Sequence, residues 1–425
     1  MSGNGTDSAS GIYIASAEGD SGKSTVALGV LVQLAATGGR VGVFRPISRA
    51  AAGEHDYILD LLIDYTSVDV PYADCIGVTY DDVHADPDSA IAEIVTRYHA
   101  VAARCDNVLI LGSDYTDVAS PSELSYNARI AANLSAPVLL VVKAADRTPA
   151  EVRAMVEMLM SDIRQSHASV AGVVANRTDP RHVVAVAAAV SDAGCRAWAL
   201  PEEPLLFAPT MAELATALGA IVYSGDEELL NHEAIDVMVG GMTVEHILER
   251  LNESMAVIAP ADRSDVLLAL VNANAAQGFP RLAGIILNGG LKPHPMIDAL
   301  VKGLHPTLPI LQCEHGTYET ARICSMTRGR VAAGSIRKID VALALMEQYM
   351  PSADLFTDLK LPAHHVVTPQ MFEYQLLAQA KSDVQHIVLP EGDDDRILRA
   401  AGRLLRRGVA RLTILGHEGT VRRRA

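Results

Sequence analysis

Ile12-Tyr13-Ile14-Ala15, followed by Ala17-Glu18-Gly19-Asp20-Ser21-Gly22-Lys23-Ser24, is the stretch that decides the fold. The four apolar residues predict a buried strand, and the loop after them opens a predicted helix. In that setting glycines let backbone N–H groups turn toward phosphate oxygens, and the helix N-terminus adds a favourable potential. The spacing is that of a phosphate-binding P-loop, with Ala17 where the strict pattern has Gly. On this reading Gly19, Asp20, Ser21, Gly22, Lys23, Ser24 and Thr25 hold the phosphates of ATP or another nucleotide. Lys23 would reach the β- and γ-phosphates, and the Ser24 hydroxyl would hold Mg²⁺. The alternative is a loop that keeps its shape and no longer binds nucleotide.

Such a site also needs a carboxylate at the end of a neighbouring strand. Asp114, after Val108-Leu109-Ile110-Leu111-Gly112, is the candidate second metal ligand. An Asp just beyond a strand also serves as a cap or turn residue. Asn176, at the end of Val170 to Ala175, could read a base or simply form a turn before a helix.

Further apolar runs at Val41 to Phe44, Val108 to Leu111, Val138 to Val142 and Val170 to Ala175 are bounded by Gly, Pro, Asn or Asp. Helix-period segments lie between them, such as Ile58, Leu61, Leu62 and Tyr65. Strands alternating with helices predict an α/β fold whose N-terminal part is a doubly wound parallel sheet carrying the P-loop. A second, smaller α/β domain follows, with strand candidates Ala256 to Ala259, Ala283 to Leu287 and Pro309 to Leu311. Its last helix carries the stripe Ile336, Ile339, Leu343, Met346 and Met350, and Pro351 ends it. A third α/β unit then starts with strand Ile387 to Leu389, turn Pro390-Glu391-Gly392, helix Asp395 to Arg407 and strand Leu412 to Leu415. The expected divisions are a disordered 1–10, a P-loop domain at 11–204, and a regulatory domain at 205–351. A linker with a lead-in helix at 352–385 and an incomplete third domain at 386–425 complete them. One βαβ beginning cannot bury both faces of a parallel sheet, so the third domain reads as cut short.

Hydrophobic residues make up 49% of the 425 and aromatics only 4%, so the cores must be built from Ala, Val, Leu and Ile. A formal net charge of −16 argues against nucleic acid as a partner. No stretch approaches the ~18 apolar residues that span a bilayer, and residues 1–10 lack the basic start and apolar run of a signal peptide. Five scattered cysteines without a CxxC pair suit a reduced, cytoplasmic setting.

The loop at Ala17 to Ser24 resembles that of the dethiobiotin synthetase-like P-loop domain. Arg45-Pro46-Ile47 stands where members have Lys-Pro-hydrophobic, and Leu111-Gly112 where they often have Glu-Gly. Both departures count against a dethiobiotin synthetase. The same domain begins the long-form phosphate acetyltransferases, which this chain resembles over nearly its whole length. Val41 to Ile47, Asn133 to Val142, and Leu200 to Pro204 with Ala208-Pro209-Thr210 are similar to that family's second strand, next signature and inter-domain join. The middle unit is similar to a DRTGG domain, with Asp262-Arg263-Ser264-Asp265 at the name-giving motif. There, Asp262 or Ser264 also fits as the cap of a helix through Val266 to Val271. Thr368-Pro369, Phe372 to Leu376, Ile387 to Asp393 and Leu412 to Gly416 resemble the opening of the acetyl-transferring domain.

The resemblance implies exchange of an acetyl group between coenzyme A and inorganic phosphate, giving acetyl phosphate. Acetyl-CoA, CoA and phosphate are then the partners of the full-length enzyme, a homo-oligomer is expected, and acetyl transfer requires no cofactor. The family's catalytic groups lie beyond Ala425, so no catalytic residue is assigned. Arg396, Arg399 and Arg403 read as a solvated helix face, His364-His365 as a surface pair, and Arg422 to Arg424 as part of an interrupted helix. Two other readings stand: a non-catalytic nucleotide- or metabolite-binding regulatory module, and an ATP-dependent ligase of the dethiobiotin synthetase type.

Overall fold

Strand β1 (Ser10–Ser16) lies inside a seven-stranded sheet with β2 (Val41–Ser48), β3 (Ile76–Thr79), β4 (Asn107–Leu111), β5 (Val138–Lys143), β6 (Val170–Thr178) and β7 (Ala197–Pro201). The spatial order is β3-β2-β4-β1-β5-β6-β7, and every pairing is parallel. This is a computed structural model, described for residues 9–48, 55–113, 123–304, 306–352, 368–418 and 421. The sheet belongs to one compact unit, residues 1–201 with 345–425. A second unit comprises residues 202–344.

The strands are near-continuous apolar runs because helices cover both faces. Helices Lys23–Ala36 and Tyr57–Ile63 pack on one another. Pro87–Ala102, Glu123–Asn133, Pro149–Gln165 and Val183–Ser191 form a second packed series. Right-handed crossovers put these two groups on opposite faces, since β1→β2→β3 moves one way across the sheet and β3→β4→β5→β6→β7 the other. The carboxyl end of β1 therefore opens at the point where strand order reverses, where such sheets bind ligands.

Five of these strands sit where the apolar runs predict them. β3 and β7 are short: β3 has four residues, and its Gly77 is required because a Cβ there would meet the Pro46 carbonyl. The helix of the Ile58 stripe stops at Ile63, capped at its start by Asp56, so Tyr65 falls outside it. After the 345–350 stretch, where Gln33 Nε2 donates to Met350 O at 2.9 Å, the chain returns to the sheet domain a second time. Helix Pro369–Ser382 packs on Pro87–Ala102. Its Tyr374 ring stacks on His99 at 4.3 Å between centroids, and just before it Thr368 Oγ1 donates to Asn133 Oδ1 at 2.6 Å.

Residues 202–344 hold a five-stranded sheet of β8 (Ile221–Ser224), β9 (Asp236–Val239), β10 (Met255–Pro260), β11 (Gly284–Asn288) and β12 (Ile310–Gln312), ordered β8-β12-β11-β10-β9. All pairs are parallel except β8 with β12. β8 and β9 lie at its edges and are partly exposed, although both are mostly apolar in sequence. The helix after β10, Ser264–Ala275, corrects the capping expectation. Its cap position is Arg263, which makes no side-chain capping hydrogen bond. Arg263 instead pairs with Asp265 (2.9 Å) and donates to Met242 O (3.2 Å), holding the Asp262-to-Asp265 loop by a side-chain fork.

The last element is a parallel pair, β13 (Gln385–Leu389) and β14 (Ala410–Ile414), joined by helix Asp395–Arg407. Arg396, Arg399 and Arg403 are exposed on that helix, Arg396 pairing with its cap Asp394. His364-His365, Arg422 to Arg424, residues 1–8, and most of 352–369 lie outside the described residues.

Candidate nucleotide site

The loop between Ser16 and Lys23 turns through two left-handed residues, Asp20 (φ 54°) and Gly22 (φ 75°). Gly22 must be glycine on two counts: its φ is positive, and a Cβ would collide with Asn176 Nδ2. It is also the cap of helix Lys23–Ala36, and no side chain caps that helix and no acidic residue sits in its first turn. The N-terminal N–H groups thus keep the arrangement that attracts an anion. Gly19 has open space around its Cα, and Gly19 and Asp20 are exposed. Ser21, Lys23 and Thr25 are buried and Ser24 is half-buried.

Three neighbours hold the loop from outside. Asn176 Nδ2 donates to Ser21 O at 2.8 Å, a buried bond. Asn176 is not a turn residue as one sequence reading had it: β6 continues to Thr178, and the amide reaches sideways to the loop. Arg147, after β5, forks onto Glu18 with bonds of 2.9 and 2.6 Å, and Arg177 donates to Asp20 O at 3.1 Å. Ser16 Oγ donates to Glu18 O at 3.0 Å.

Lys23 points across to the end of β4, where its Nζ donates to Gly112 O (2.6 Å) and Ser113 O (2.8 Å). Arg45 converges on the same carbonyl, Nη1 to Gly112 O at 2.6 Å, and its Nε meets Asp56 Oδ2 at 3.2 Å in a buried pair. Two cations therefore meet at one backbone oxygen beside the loop. The β4 end is fixed in turn by Asn127, wholly buried, which bonds Ser113 N and Ser113 Oγ (both 3.0 Å) and accepts from Tyr13 O–H at 2.7 Å. Burial drives the Tyr13 phenol well above its ordinary pKa, so it stays a neutral donor.

Asp114, the candidate metal carboxylate, lies outside the described residues. Among the described residues no group of three or more His, Cys, Asp or Glu could hold a metal ion, so Ser24 is the one candidate ligand whose surroundings are defined. The chain's loop, its uncapped helix and its two converging cations fit a nucleotide's phosphates. Arg45, Asn127, Arg147 and Arg177 were absent from the sequence-derived site. Arg45 had a signal, its place in Arg45-Pro46-Ile47 at the end of an apolar strand; the others had none.

Three domain families match in order along the chain. Residues 10–210 match an AAA domain, 213–327 the DRTGG domain, and 371–425 the phosphate acetyl/butaryl transferase family. Over nearly its whole length the chain is similar to phosphate acetyltransferases. It is 31% identical over 427 residues to the phosphate acetyltransferase of Nitratidesulfovibrio vulgaris, and 32% identical over 419 residues to that of Synechocystis sp.. Each match covers 96% of this chain and 60% of the other protein, so the chain spans about 60% of the length of these curated phosphate acetyltransferases. Among solved structures it matches the septum site-determining protein MinD complexed with Mg-ADP from Pyrococcus horikoshii, at 16% identity and a TM-score of 0.31, over 47% of this chain and 83% of that one. No helix among the described residues is long and apolar enough to cross a membrane.

Proposed function

We propose that this chain is the nucleotide-binding and regulatory part of a phosphate acetyltransferase, which interconverts acetyl-CoA plus phosphate with CoA plus acetyl phosphate. The observation that carries the reading is the order of the three family matches, the last in the acyl-transferring family. In this proposal the groups that bind phosphate, stabilise the oxyanion and protonate the thiolate of CoA lie in the part of the relatives that this chain does not span. The exposed Arg396, Arg399 and Arg403 take no catalytic role, and the enzyme works as a cytoplasmic homo-oligomer.

Residues 19–25 hold the phosphates of ATP or a related nucleotide, Asn176 keeps the loop in shape, and Ser24 with Asp114 holds Mg²⁺. Bound Mg²⁺ would neutralise phosphate charge. Lys23 must leave Gly112 O and Ser113 O to reach a phosphate, exchanging two hydrogen bonds for an ion pair. Nucleotide binding is therefore linked to the β4 end, where Asn127, Tyr13 and Arg45 also meet. A second reading, a regulatory module without acetyl transfer, draws support from the short 371–425 match to the acyltransferase family.

The test is an acetyl-transfer assay on this chain together with calorimetry using ATP and Mg²⁺. Nucleotide binding that is lost in Lys23→Ala, without turnover, supports a regulatory part. Turnover by this chain would overturn the placement of the catalytic groups. Equal affinity of wild type and Lys23→Ala would overturn the nucleotide site.

A further inference from the structure

Between Ala17 and Ser24 the carboxylates of Glu18 and Asp20 stand against the single ammonium of Lys23, so the phosphate loop by itself is negative. A nucleotide's polyphosphate is an anion, and like charges at close range repel. Two arginines from neighbouring strands reverse that sign. Arg147 closes a turn after β5, its N–H donating to Ala144 O at 3.3 Å, with Asp146 left-handed (φ 59°) inside the turn. Helix Pro149–Gln165 starts just beyond it behind a Thr148–Glu151 capping box, so the arginine is anchored on both sides. Its guanidinium meets the Glu18 carboxylate through both terminal nitrogens, the two-pronged arrangement that fixes direction as well as charge. Arg177 sits where the register of β6 with β7 shifts between Ala175 and Thr178. Its φ of 57° is a conformation that costs a residue with a Cβ. Such an irregularity re-aims a side chain, and here Arg177 Nη1 reaches Asp20 O.

We propose that Arg147 and Arg177 make the loop receptive to a polyphosphate by offsetting the charges of Glu18 and Asp20, with Arg147 acting through Glu18. The inference rests on the nucleotide reading of this loop. The Glu18 and Arg147 side chains are 31% and 32% exposed, so water screens their charges only in part. A purely mechanical latch has a different signature: breaking it from either side would loosen the loop and weaken binding. An electrostatic role gives the two partners opposite signs.

Calorimetric titration of the whole chain with ATP and Mg²⁺ reads that sign. Arg147→Gln should weaken binding by about fivefold, the effect of one partly screened unit charge. Glu18→Gln, which keeps a hydrogen-bonding side chain of the same length and loses the charge, should tighten binding by about the same factor. The double variant should return to within about twofold of wild type, because the two charge effects cancel. Arg177→Gln should weaken binding and Asp20→Asn should tighten it. Thermal unfolding without nucleotide checks that each variant is folded. Weaker binding in Glu18→Gln, or no change in Arg147→Gln, overturns the inference and leaves the nucleotide site standing. No ATP binding by the wild type overturns the nucleotide reading and this inference with it.

Discussion

Asn176→Ala tests whether the P-loop is held in shape from the neighbouring strand. The amide is 6% exposed and gives its Nδ2 hydrogen to Ser21 O at 2.8 Å. Truncation leaves that buried carbonyl without its donor, at a cost of about 1–3 kcal/mol. Because the Gly22 backbone lies against the same amide, the loss falls on the loop and adds to the work of ordering it around a nucleotide. At a factor of ten per ~1.4 kcal/mol, ATP affinity should drop by about 5- to 150-fold. Asn176→Asp preserves size but sets a carboxylate against the Ser21 carbonyl, so its loss should exceed that of alanine. Calorimetric titration with ATP and Mg²⁺ measures both. In the absence of nucleotide, the same bond is read as a fall in Tm of roughly 2–4 °C per kcal/mol for a unit near 200 residues. If Asp proved no worse than Ala, or if neither moved affinity or Tm, the amide would not be what shapes the loop.

Gly22→Ala meets both a positive φ and the Asn176 amide. It should cost about 1 kcal/mol or more, and Asn176→Ala in the same chain should relieve part of the cost, which a double-mutant cycle by thermal unfolding would show. Arg45→Met removes one partner of a buried pair and leaves Asp56, also the cap of helix Tyr57–Ile63, uncompensated. Urea unfolding should register about 3–5 kcal/mol, and a loss under 1 kcal/mol would mean that Asp56 finds other partners. His99 is held below its ordinary pKa by burial against Tyr374, and its Nε2 has no hydrogen-bond partner. The native state therefore resists a proton that the unfolded chain accepts below about pH 6.5. Stability should be fully present above that pH and fall as pH drops toward the depressed native value. His99→Phe, which keeps the stack, should flatten the Tm-against-pH curve between pH 5 and 7, and an unchanged slope would refute the role of His99.

The sequence by itself determined the sheet, because strands buried on both faces must be continuous apolar runs. Val138 to Val142 and Val108 to Leu111 therefore stand out without any partner being known. It also determined the phosphate loop, since a strand–glycine–lysine–helix sequence is local chemistry. It could not show β3, whose four residues make a strand only because Gly77 lets Pro46 approach. Nor could it show the edge strands β8 and β9, because runs of three apolar residues such as Ile221 to Tyr223 and Val237 to Val239 are too short to tell a strand from part of a helix.

Only the tertiary structure decided what surrounds the loop. Asn176 is 155 positions from Ser21, Lys23 is 89 from Gly112, and Thr368 is 235 from Asn133. A polar residue's partner at such separation is set by strand order and crossover direction, which no local spacing encodes. The same reason turned the expected Asp262 or Ser264 cap into an Arg263–Asp265 fork. Arg263 had an acceptor at Met242 O, on a segment 21 residues away that only folding brings beside it.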